Sequence, residues 1–103
     1  MLKNFRTYQI AVEFHHACRQ AHLPDYLKDQ LLRASSSVAL NLSEGSGRST
    51  YRDQLKFFHI ALGSLRESQA ALDLAPKSYS ELVKQADLLG AHLYRLCQQK
   101  KTP

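Results

Sequence analysis

The stretch NLSEGSGR, residues 41–48, decides how the rest of the chain is read. As a phosphate-cradling loop it would require a preceding strand, more glycines, and a lysine followed by Ser or Thr, and none of these stands here. As a reversal between two helices it uses every small residue it contains. Gly45 and Gly47 then end one helix in a left-handed conformation, while Ser46 and Ser49 cap free amides. Within this turn Glu44 and Arg48 are spaced to pair, and Arg48 pointing outward beside Arg52 would instead meet phosphate.

Both flanks carry apolar residues at helical spacing. Upstream, Leu27, Leu31, Ala34, Val38 and Leu42 give a stripe over 25–44, with Ala34, Ser35, Ser37, Ala39 and Asn41 small enough to let a neighbouring helix approach. Downstream, 51–75 carries two stripes side by side: Leu55, Phe58, Leu62, Leu65 and Leu72, and the smaller Phe57, Ala61, Ser64, Ser68 and Ala71. Two faces call for more than one partner helix, inside the chain or on another copy. Thr50 and Asp53 are spaced as a cap. Further out, Tyr8, Ala11, Val12, Phe14, His15 and Cys18 define a helix over 7–22 that Leu23-Pro24 stops. A last helix over 78–99 is opened by Ser78 and Glu81 at capping-box spacing and carries Leu82, Ala86, Leu89, Leu93 and Leu96. The expected fold is all-α, an antiparallel up-down-up-down four-helix bundle, with residues 1–103 forming a single domain.

The formal charge is +5, and its excess along the chain sits in residues 1–24 and 76–103. That placement favours an anionic partner. Two cysteines far apart in sequence, no run of about 18 apolar residues and no secretory leader point to a reduced, cytoplasmic protein.

Chemistry finds little footing. A di-metal bundle needs Glu-x-x-His on two helices, and Glu13, His15, His16, His22, His59 and His92 do not supply it. Ser35-Ser36-Ser37 has no base at fixed spacing. Cys18 and Cys97 read as small buried hydrophobes. Glu67, in an apolar run, reads as half of an ion pair within or between bundles, with Arg33 as its partner. No catalytic residue, metal ligand or cofactor is expected.

Three blocks carry a family resemblance: FRTYQIAVEF (5–14), LRASSSVALNLSEGSGR (32–48) and FFHIALGSLRES (57–68). Arg33, Asn41, Glu44, Gly45, Gly47 and Arg48 in the second, with Ala61, Gly63, Ser64 and Glu67 in the third, resemble the bacterial four-helix-bundle proteins encoded in intervening sequences of 23S ribosomal RNA genes. Leu32-Arg33 stands where that family usually has two arginines, and Tyr8 where it commonly has Trp. The resemblance implies a ring, commonly a homopentamer, without enzymatic activity. It also implies a fold similar to the accessory protein of diversity-generating retroelements, a basic ring that partners a reverse transcriptase and nucleic acid.

The function expected from these readings is a non-enzymatic, oligomeric, nucleic-acid-associated protein that binds structured RNA or an RNA-containing complex through basic surfaces, with structured DNA as a further partner. The alternative is a protein-binding or structural adaptor, accessory to a reverse transcriptase, another nucleic-acid-processing protein or another assembly. The expected phosphate contacts are Lys3, Arg6, Arg19, Arg33, Arg48, Arg52, Lys84, Arg95, Lys100 and Lys101; Asn41, Glu44, Gly45, Gly47, Ser64 and Glu67 are the expected structural or interface residues.

Overall fold

A computed structural model describes residues 2–98. After a 3-10 turn at Leu2–Asn4 come four helices: α1 Arg6–Gln20, α2 Asp25–Ser46, α3 Tyr51–Leu74 and α4 Ser80–Gln98; among the described residues there is no strand. Short connections make neighbours antiparallel. Helix α3 packs on α2 and α4, and α1 closes the bundle against the same two, giving the up-down-up-down four-helix arrangement. Phe14, Leu31, Leu42, Leu65, Leu89 and Leu93 are fully buried at its axis, each contributing on the order of 1.5–3 kcal/mol of burial.

Helix α3 meets more than one partner helix, as its two stripes require. Ser64 on the small-residue stripe meets α2, where its hydroxyl lies 2.8 Å from that of Ser37, and Leu65 beside it is buried in the core cluster with α4's Leu89 and Leu93. Asn41 is half-buried and donates to the Ser37 carbonyl at 2.9 Å and hydroxyl at 3.0 Å, which completes a polar ladder along the α2–α3 seam. At the head of α3 the Thr50 hydroxyl accepts from the Asp53 amide at 3.2 Å, as expected of a cap.

The turn at 41–48 differs from its expectation. Helix α2 runs on to Ser46, so Gly45 lies inside it; Gly47 is right-handed at φ −89°, ψ −4°, and no glycine among the described residues has positive φ. The helix ends instead by tightening, with Gly47 N–H to Glu44 carbonyl at 3.2 Å and Arg48 N–H to Gly45 carbonyl at 3.1 Å. What Gly45 provides is room. A Cβ there would stand 2.8 Å from Phe58 Cε1 and 3.1 Å from Phe57 Cβ.

Two other boundaries move. Helix α1 stops at Gln20 rather than 22, because Ala21 is already extended and Lys28 Nζ, from α2, takes the carbonyls of Arg19 (3.0 Å) and Ala21. Helix α4 begins at Ser80, its first bond running from the Val83 amide to the Tyr79 carbonyl, so Ser78 stands one residue too early to cap it. Residue 99 lies outside the described residues.

Candidate nucleic-acid interface

The topology gathers the start of α1, the end of α2, the start of α3 and the end of α4 at one end of a bundle 48 Å long and about 20 Å across. The Phe5 and Phe58 rings, with centroids 6.1 Å apart, and the approach of Gly45 to Phe58 pin three of these segments together. This end carries Lys3, Arg6, Arg48, Arg52, Lys56 and Arg95 against Glu44, Asp53 and, two turns up α1, Glu13. The opposite end balances Arg19, Lys28, Lys77 and Lys84 with Asp25, Asp29, Asp73 and Glu81. The waist balances Arg33 and Arg66 with Glu67 and Asp87. The +5 excess therefore comes from the first end together with Lys100 and Lys101, which lie outside the described residues. Two helix starts and two helix ends meet here, so their macrodipoles offset one another and side-chain charge sets the field.

The structure thus divides the ten expected phosphate contacts. It brings Lys3, Arg6, Arg48, Arg52 and Arg95 together, sends Arg19 and Lys84 to the far end, and leaves Arg33 exposed at the waist. Arg48 is already engaged: its guanidinium meets Glu44 at 2.7 Å and lies 4.6 Å from the centroid of the Phe57 ring. It clamps the turn. Arg6 has a longer, exposed contact with Glu13 at 3.7 Å, which solvent screens heavily. His92 is held below its ordinary range by burial first and then by the positive charge of Arg95 and Arg6. Lys56 belongs to this end although charge counted along the chain passes over it.

Despite its place in an apolar run, Glu67 is not paired with Arg33 inside the bundle among the described residues. It is exposed and accepts from Gln30 Nε2 at 3.2 Å. The two side chains project from the outer side of the α2–α3 hairpin, where water solvates each.

A thiol, a hydroxyl and an imidazole do converge between α1 and α2. His15 Nδ1 lies 2.6 Å from Ser35 Oγ, and Cys18 is buried beside them on the same side of α1. The site is sealed rather than reactive: Ser35 and Cys18 have no exposed surface, and burial pushes the Cys18 thiol up to about 12, out of reach of thiolate chemistry near neutral pH. Cys97 is also a free buried thiol, pushed up by burial. Among the described residues no group of three or more His, Cys, Asp or Glu is placed to hold a metal, and no helix is long and apolar enough to cross a membrane.

A family model described as 23S rRNA-intervening sequence protein matches residues 3–99. No curated protein and no solved structure matches the chain, so the likeness to the retroelement accessory protein gains no structural counterpart.

Proposed function

The chain belongs to the 23S rRNA-intervening sequence protein family, and from that membership and the polarised charge we propose a non-enzymatic, oligomeric cytoplasmic protein that binds structured RNA through the basic end of its bundle. The observation that carries the reading is the segregation of charge. Both other regions are neutral, so an anionic polymer meets attraction at one end only. Arg6, Arg52 and Arg95 are the exposed arginines there that no close carboxylate clamps, and Lys3 and Lys56 add point charges. Contacts of this kind neutralise phosphates and carry little base information, so shape rather than sequence would select the RNA.

Replacing Arg6, Arg52 and Arg95 together by Gln should weaken binding to a structured RNA hairpin by at least about tenfold and flatten the dependence of log K on log salt by roughly two to three. Replacing Arg19 and Lys84 by Gln, at the far end, should change neither. Fluorescence anisotropy across a salt series reads both quantities. Equal losses from the two ends, or no binding by the unaltered protein at low salt, would reject the proposal.

A further inference from the structure

The outer side of the α2–α3 hairpin carries one pattern twice. On α2, Tyr26, Arg33 and Leu40 stand seven residues apart; on α3, Leu74, Glu67 and Ile60 do the same. All six are exposed, Tyr26 by 72%, Leu74 by 71%, Leu40 by 68% and Ile60 by 42%. The Gln30–Glu67 and Ser37–Ser64 hydrogen bonds fix the antiparallel register, which sets Tyr26 level with Leu74, Arg33 with Glu67, and Leu40 with Ile60. Exposed Gly63 and Ala70 lie between the large residues of α3 and leave the face low enough for a helix to pack.

We infer that this face binds a second copy of the chain, the α2 row of one copy seating on the α3 row of the next with Arg33 against Glu67. The inference rests on the oligomeric part of the proposed function and names the surface that would form it. The charge pattern selects the symmetry. A rotation about an axis parallel to the helices keeps each residue at its own height, so apolar ends meet apolar ends and Arg33 of one copy meets Glu67 of its neighbour. Reversing the second copy end over end would set Arg33 against Arg33 and Glu67 against Glu67. Gln30 already holds one Glu67 oxygen, leaving the other for the incoming guanidinium. A parallel axis also turns every basic end the same way, so assembly multiplies phosphate contacts on one side of the particle. A two-fold pair and a larger ring share this register, and the particle mass reports the copy number.

Sedimentation and light scattering over a concentration series test the pairing, with circular dichroism checking the fold of each variant. Arg33→Glu alone and Glu67→Arg alone should each raise the dissociation constant about tenfold or more, and the double reversal should recover most of that loss. Leu40→Glu should dissociate the particle without recovery. If the unaltered chain assembles but Arg33→Glu and Leu40→Glu leave its mass and affinity unchanged, or the double reversal gives no rescue, this seam is wrong while the assembly reading stands. A persistent monomer at high concentration would end both.

Discussion

Two glycines on facing helices have opposite surroundings. Gly45 is buried with Phe58 against it, and Phe58 is itself held by Phe5, so an added methyl has nowhere to go. Gly45→Ala should lose about 1–2 kcal/mol in urea unfolding, overpacking outweighing the better helix propensity of alanine. Gly63, on α3, has open space beyond its Cα, and there the same change should gain about 0.5–1 kcal/mol at protein concentrations low enough to keep copies apart. Equal effects at the two positions would show that the close approach at Gly45 is not what the residue serves. Sequence alone assigns both Gly45 and Gly47 to a chain reversal, because nothing local reports that Phe58, thirteen positions on, will lie against Gly45. A glycine that makes a turn and a glycine that makes room look alike until a neighbour is placed.

At the scale of elements, α3 is the best specified. Its two stripes, its Thr50 cap and its termination before Pro76 are local patterns, and each reappears in the structure. Thr50→Ala removes the one side-chain acceptor at the head of that helix and should cost about 1 kcal/mol in chemical unfolding, with Thr50→Ser retaining most of it. A cost shared equally by the serine variant would place the effect in the threonine methyl instead. The start of α4 was less legible, because Ser78 and Glu81 carry capping-box spacing while Tyr79 takes the position by sending its hydroxyl to the His22 carbonyl. Among the described residues Glu67 and Arg33 form no ion pair inside one bundle, and the sequence hides the reason in a related way. A seven-residue repeat is common to a buried stripe and to an outward row, and only the α2–α3 register shows that these two lie on the outer one.

Charge is a property of the whole molecule. Counted by sequence, the excess splits between the first and last segments; counted in space, each of those segments is cut in two, Arg6 and Arg95 going to one end and Arg19 and Lys84 to the other. Lys56 joins the basic end from the middle of the chain. Protonation acts at the same scale. His15 is lowered by burial first, then by His16 and Arg19, and His92 by burial first, then by Arg95 and Arg6. For both, the folded protein holds fewer protons than the unfolded chain just below the ordinary imidazole value of 6.5. Their contribution to stability is complete above that value and is lost as pH falls through their lowered folded values. The Tm should fall between pH 7.5 and pH 5, and His15→Gln with His92→Gln should flatten the slope; a Tm that rises on acidification would contradict the burial of both rings.

The slenderness of the bundle sets how one molecule can touch a polyanion. With its excess charge at one tip, the rod has a permanent electric dipole along its length and would arrive tip first, its flanks free. That tip is about 20 Å wide, less than one turn of duplex DNA at roughly 34 Å. One rod therefore grips only a handful of phosphates, and a firm hold calls for several rods standing side by side, each contributing a few contacts to a common footprint.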